Sequence, residues 1–265
     1  MKQPITIRAS SFGSLFDCPD RWIAIHIEGR RVPQNGNSAL GTALHAGTAL
    51  FDTERVNGQV PSISAAVDAA VESIRQPREE TDWEGERDKA ESVANSLTEK
   101  YCREESQKHH FVAVEASVES LRITDLGIVL TGTTDRVELT DEGYGIRDIK
   151  TGKQAVGTNG KAKTDGHAAQ IGVYELVAEN ATGLPITAPA GIIGLQTNQT
   201  PDKQRIGTGA IEGAREVLLG DQDHTGLLIT ASKLVHGEIP PWGNPKSMMC
   251  HNKYCPIFET CFWRR

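Results

Sequence analysis

No stretch of the chain approaches the roughly 18 consecutive apolar residues of a membrane-crossing helix. Met1 to Ser14 carries one Lys and one Arg but no apolar run of the length a secretory signal requires. The expectation is therefore a soluble, cytoplasmic protein. Excess positive charge is also missing: the formal net charge is −7, which argues against a general nucleic-acid coat protein, since those are basic. It leaves room for a local basic track beside an acidic, metal-holding site. The chain has no internal repeat, no low-complexity segment and no close C-x2-C pair. Without a secretory context the five cysteines are not read as a disulfide framework. Three of them nevertheless fall in the last sixteen residues, a bias that asks for a metal or redox explanation.

What is present is 265 residues, 38 % hydrophobic and 24 % charged, enough to bury a sizeable core. Carboxylates crowd the segment Glu79 to Glu91, which reads as a solvated surface. Positive charge gathers at Arg30 and Arg31 and along Lys150, Lys153, Lys161 and Lys163.

The first 110 residues read as helical. Helices are expected over 10–28, with Ser10 or Ser11 as N-cap, and over 38–56, 62–75 and 86–108. Gly41 and Gly47 inside the second suggest close packing or a nearby ligand. The period then changes. Phe111–Leu121 alternates with period two, Ile128–Leu139 is β-branched, and a turn at 141–143 leads into Tyr144–Lys150, so 111–150 reads as an antiparallel meander. A Gly- and Lys-rich loop, a helix over 166–182 and a strand over 191–197 complete a catalytic portion, 111–200. Helices over 209–219 and 223–236 and an irregular cysteine tail form a third portion, 201–265. The whole reads as one α/β domain, a mixed sheet flanked by helices.

The chemistry concentrates on the meander. Asp148 and Lys150 are two apart on one strand and project from the same face. If the strand before it pairs through the 141–143 turn, Asp135 reaches that face too. Two converging carboxylates repel unless a cation lies between them, and a hard divalent ion such as Mg²⁺ or Mn²⁺ prefers oxygen ligands. Such an ion polarises a phosphodiester and acidifies a bound water, and the Lys150 ammonium is suited to orienting that water or meeting the charge that grows in the transition state. A lone D-x-K triplet reads equally well as a surface salt bridge. Its weight here comes from the order of the other pieces. Gln170 and Tyr174, four apart, share one helix face, where Tyr174 reads either as core or as cover for the site. His45 reads as a core histidine or, facing carboxylates, as a ligand, particularly for Mn²⁺. Glu115 reads first as an edge-strand residue, with help to a second metal as the other possibility.

In this order, His45, then G-x-x-D-R-V around Asp135, then D-I-K-T-G at Asp148–Gly152, then Q-x-x-x-Y at Gln170–Tyr174, the set closely resembles the RecB-type nucleases of the PD-(D/E)xK superfamily, over about residues 10–262. These include recombination-helicase nuclease domains, CRISPR-associated adaptation exonucleases and phage exonucleases. The resemblance implies a restriction-endonuclease-like core. It implies metal ligation by His45, Asp135, Asp148 and the Ile149 carbonyl, catalysis by Lys150, and a site lined by Gln170 and Tyr174. It further implies a Mg²⁺- or Mn²⁺-dependent deoxyribonuclease acting from the end of a single DNA strand, with homo-oligomers or recombination-helicase partners among its relatives. Arg30, Arg31, Lys153, Lys161 and Lys163 become candidate phosphate contacts. Many relatives carry Glu where Asp148 stands.

In the tail, Cys250, Cys255 and Cys261 supply three thiolates where a [4Fe–4S] cluster needs four. Cys18, in the context S-S-F-G-S-L-F-D-C-P, resembles the N-terminal cysteine of the iron–sulfur subset of that family. A shared cluster would staple the two chain ends, removing unfolded-state entropy on the order of 5 kcal/mol by analogy with a disulfide. Zinc stays open as the alternative, because Cys₄ or Cys₃His sites bind it and His251 adjoins Cys250. Cys102 reads as a small buried residue. Two other readings of the whole remain: a non-catalytic DNA-binding scaffold, and a zinc-stapled interaction module.

Overall fold

The computed structural model describes residues 3–198 and 200–264; Met1, Lys2, Gln199 and Arg265 lie outside the described residues. It begins with a strand that the sequence reading did not anticipate, β1 (Ile5–Arg8), whose Ile7 is fully buried. The helix expected over 10–28 is two helices, α1 (Ala9–Asp17) and α2 (Pro19–His26), and the cap position of the first is Arg8 rather than a serine. The break falls at Cys18. Pro19 disfavours helical geometry in the residue before it and suits the first position of a new helix. Cys18 accordingly adopts φ −149° and ψ 89°.

Next come β2 (Gln34–Asn35), α3 (Gly36–Val56), α4 (Ile63–Arg75), β3 (Thr81–Asp82) and α5 (Arg87–Lys100). Asn35 and Ser62 cap α3 and α4 by accepting the Ser38 and Ala65 N–H groups. The helix expected to run to 108 loosens at Lys100 into a π-helical turn, Tyr101–Glu105, and a 3₁₀ turn, Ser106–Lys108. Gly47 does serve close packing: a Cβ there would stand 2.6 Å from the Ala66 carbonyl of α4.

The meander follows as β4 (Phe111–Ile123), β5 (Ile128–Thr140) and β6 (Gly143–Gly152), then α6 (Ala168–Thr182), β7 (Ala190–Gln196), β8 (Ile206–Ile211), α7 (Ala214–Leu219) and α8 (Leu227–Val235). The helix expected over 209–219 is thus corrected: its first part is β8, paired antiparallel with β7. The glycines that blurred its pattern are there because a loop crosses the strand; a Cβ at Gly207 would lie 2.3 Å from the Gly160 carbonyl.

The sheet runs β1-β5-β6-β7-β8, with β4 on the other edge of β5. Its two faces carry separate cores. One holds Phe12, Leu15, Leu130, Val173, Val177 and Ile192; the other holds Leu44, Phe51, Leu97, Tyr101, Ile149 and Ile193. β7 contributes to both and is buried at every residue, which explains its unbroken apolar run. Among the described residues no helix is long and apolar enough to cross a membrane.

β5 shares one edge between two strands. β1 pairs with Ile128–Thr131 and β6 with Arg136–Thr140. Between Gly132 and Asp135 that edge has no strand partner among the described residues, and the sheet forks as β6 leaves to pair in parallel with β7.

Beside the fork lies a buried ion pair that joins the helical portion to the sheet. Arg136 of β5 and Asp52 of α3 are both 0 % exposed, with Arg136 Nε 2.7 Å from Asp52 Oδ2. Tyr101 Oη and Ser106 Oγ also donate to the Asp52 carboxylate, at 2.7 and 2.5 Å. Arg136 Nη1 donates to the Asp135 carbonyl at 2.8 Å. Removing one member strands a buried charge, so Asp52→Ala is expected to lower stability by about 3–5 kcal/mol. In a urea-denaturation cycle, Asp52→Leu combined with Arg136→Met costs less than the sum of the two single changes; strict additivity would show that the two charges are not coupled.

Candidate active site

The fork brings together residues from five elements. Asp135 comes from β5, Asp148 and Lys150 from β6, His45 from α3, Glu115 from β4, and Gln170 and Tyr174 from α6. Asp135 Oδ2 accepts the Ile149 N–H at 2.7 Å, so a side chain takes a donor that an unbroken β5–β6 ladder would give to backbone. Its Oδ1 lies 3.3 Å from His45 Nδ1. Lys150 Nζ donates to Gln170 Oε1 at 3.0 Å, and Gln170 Nε2 donates to Tyr174 Oη at 3.0 Å. The spacing of four on α6 thus links Tyr174 through Gln170 to Lys150. Lys150 Nζ also lies 2.6 Å from Asp148 Oδ2, but no donor is aligned on that buried oxygen.

Electrostatics separate the two aspartates. Burial opposes charge on Asp135, but the adjacent His45 and Arg136 and the Ile149 N–H outweigh it and hold the carboxyl at about 2. Burial, reinforced by Asp135 and countered by Lys150, pushes Asp148 up to about 6. Burial pulls His45 down, yet Asp135 leaves it raised overall. Burial also raises the Tyr174 phenol, with the two aspartates adding to it.

Glu115 is an exposed residue of the edge strand β4, as the plain reading has it, and its side chain also reaches the site. The residue has φ +51°, a left-handed conformation uncommon for a residue with a Cβ. One oxygen of its carboxylate joins His45 and Asp135 in a set of ligand atoms all within 4.8 Å of one another. Burial and the negative charge of Asp135 raise its pKa. The His45 imidazole and the Glu115 and Asp135 carboxylates, with Asp148 nearby presenting a buried oxygen that has no aligned donor, form a donor set that fits a hard divalent cation. Nothing in the sequence marks a positive φ on a glutamate. Asp52 was equally hidden, its partner lying 84 residues away.

The profile of the PD-(D/E)XK nuclease superfamily matches residues 8–262. The chain belongs to that superfamily. PD-(D/E)XK nucleases hydrolyse nucleic acid with divalent metals, in keeping with the oxygen-rich set here, and Asp148-Ile149-Lys150 fits the D/E-x-K part of the pattern that names them. Among solved structures, a protein from Eubacterium rectale provisionally designated an exonuclease aligns with TM-score 0.57 and 12 % identity, over 92 % of this chain and 86 % of that one. At that identity the likeness shows the restriction-endonuclease-like fold alone. No curated protein matches the chain significantly.

The remaining sequence candidates divide. Cys18, Cys250, Cys255 and Cys261 line one cavity. Cys102 stands apart and fully buried, its thiol pushed up to about 12 by burial and by Asp52. The basic residues form no single track: Lys153 and Lys161 line different clefts, Lys163 Nζ donates to Gln154, and Arg30 pairs with Glu28 at 2.8 Å, with Arg31 exposed beside it.

Replacing Glu115 by Gly relieves both the left-handed strain and the repulsion from Asp135. The metal-free variant is expected to be more stable than the parent by about 1 kcal/mol, while its stabilisation by added Mn²⁺ shrinks. Thermal melts with and without Mn²⁺ check this, and a less stable variant contradicts the strain argument.

Proposed function

We propose that the chain is a Mg²⁺- or Mn²⁺-dependent deoxyribonuclease of the RecB-like branch. It hydrolyses phosphodiester bonds from the end of a single DNA strand and serves recombination, repair or CRISPR adaptation. The observation that carries the reading is the chain Tyr174–Gln170–Lys150 poised beside Asp148 and Asp135 at the fork of the sheet. Residues 1–265 act as one nuclease unit.

In this reading Asp135, Asp148, His45 and the Ile149 carbonyl hold the cation, with Glu115 beside them. The Ile149 carbonyl is supported by strand geometry: a residue's N–H and C=O leave by the same edge, and this N–H points at Asp135. The bound ion supplies a polarised phosphodiester and an acidified water. Lys150 Nζ orients that water or meets the charge growing on the phosphoryl oxygens, an effect worth roughly 10²–10³ in rate for a fixed donor. Gln170 accepts one Lys150 hydrogen bond and Tyr174 accepts one from Gln170, so the ammonium is aimed before substrate arrives. Lys153, Lys161, Lys163, Arg30 and Arg31 supply phosphate contacts.

Cys18, Cys250, Cys255 and Cys261 hold a [4Fe–4S] cluster in the same reading. Two observations support it. The four line one cavity, and the tail is tied to the first helices by Asp17 with Asn244 and Ser247 and by Arg21 with the Tyr254 carbonyl.

The test is digestion of end-labelled single- and double-stranded linear DNA by anaerobically prepared protein with Mg²⁺ or Mn²⁺. Cleavage should require metal and fall at least about 100-fold in Lys150→Ala; no cleavage with either metal overturns the enzyme reading. The same preparation should be brown, with about four irons per chain, and Cys18→Ala should lose both colour and iron. A colourless parent carrying zinc overturns the cluster.

A further inference from the structure

The acidic segment, read from the sequence as solvated surface, forms one wall of a cleft of about 240 Å³. Asn35, Asn37 and Leu40 at the start of α3 form another wall. Lys153 and Thr197, just beyond β6 and β7, and Tyr254 of the cysteine tail complete it. Trp83 stands among them, half-buried and held in place. β3, the strand before it, pairs with β2 through Asn35 and Asp82. Gly36 leaves room for the indole, since a Cβ there would stand 3.2 Å from a ring carbon. The chain then turns through two left-handed residues, Glu84 at φ 49° and Gly85 at φ 79°. The first is strained for a residue with a Cβ, and such strain persists where surrounding contacts over-determine it. Here the Glu84 N–H donates to Asp82 Oδ1 at 3.0 Å, and its carboxylate pairs with Lys253 of the tail.

Two carboxylates of this wall are paired within the protein, Glu84 with Lys253 and Glu86 with Lys89 at 2.6 Å, and Asp82 accepts the Glu84 N–H. Beside these charges the cleft offers an indole, a phenol and two carboxamides, groups that suit a flat, hydrogen-bonding ring. It is also near the acidic site. Leu40 and His45 lie on one helix, about 7.5 Å apart along its axis at 1.5 Å per residue, and Lys153 is three residues beyond Lys150.

We propose that this cleft receives one unpaired nucleobase of the substrate strand, stacked on Trp83 and bounded by Asn35, Asn37 and Tyr254, with the adjoining phosphate against Lys153. The inference rests on the nuclease reading and supplies it with a reason to prefer single strands, because a base stacked and paired in a duplex is not free to enter.

The test separates the two readings. Labelled single-stranded oligonucleotides, each with one abasic site at a successive position, are titrated onto the full chain carrying Lys150→Ala, so that binding is read without cleavage. One position should weaken binding by about 5- to 150-fold, the range for loss of a base–aromatic stack. Adding Trp83→Leu should weaken the intact strand to the same degree and abolish the extra loss at that position. Trp83→Phe should keep most of the affinity, and its melt alongside that of Trp83→Leu controls for folding. A flat abasic scan, or a penalty that survives Trp83→Leu in folded protein, overturns the base site even if the parent cleaves DNA. A Trp83-dependent position in a chain whose parent cleaves nothing keeps the cleft and removes the nuclease reading.

Discussion

The site depends on a gap in the hydrogen bonding of one strand. β5 gives one edge first to β1 and then to β6, and at the junction four residues have no strand partner on that edge among the described residues. Asp135 closes part of that gap with its own side chain, taking the Ile149 N–H. The same bond fixes the carboxylate beside His45 and sets its other oxygen toward the acidic cluster. A continuous ladder would leave no room for a cation between β5 and β6, and an unfilled gap would leave a buried amide unsatisfied. The geometry of the candidate site and backbone satisfaction thus meet in one residue.

The Asp52–Arg136 pair makes that geometry rigid. Two buried charges are poor value as stabilisation, because desolvation consumes most of their attraction. Their position explains them better. Arg136 is the next residue after Asp135 and grips the Asp135 carbonyl, while Asp52 sits on the helix that carries His45. On the other side the Lys150 ammonium lies against Asp148 and donates to Gln170, which Tyr174 holds in turn.

Much of this was legible in the sequence where periodicity maps directly onto geometry. The two-residue spacing of Asp148 and Lys150 and the four-residue spacing of Gln170 and Tyr174 each fix a shared face, and both pairs converge as expected. That Cys250, Cys255 and Cys261 share a neighbourhood was legible because they crowd one tail, and that Cys18 lines the same cavity was suggested by the resemblance of its sequence context. Glu115 was not, because its role follows from a backbone angle that its residue type disfavours. Asp52 was not, because a buried partner far along the chain leaves no local pattern. β1 was too short to announce itself, and β8 was misread because its glycines answer to a crossing loop rather than to the strand's own period.

The pairing of β1 with β5 joins Ile5 to Ile128, and the cavity lined by Cys18 closes only against Cys250, Cys255 and Cys261, far along the chain. Contacts of such sequence separation carry a loop-closure cost before they are rewarded and slow folding accordingly. During synthesis the first strand must wait for the fifth, and the N-terminal cysteine for the tail. An order of assembly follows from topology alone: the five elements of the fork all lie within residues 36–182 and can meet before the cysteine tail is made.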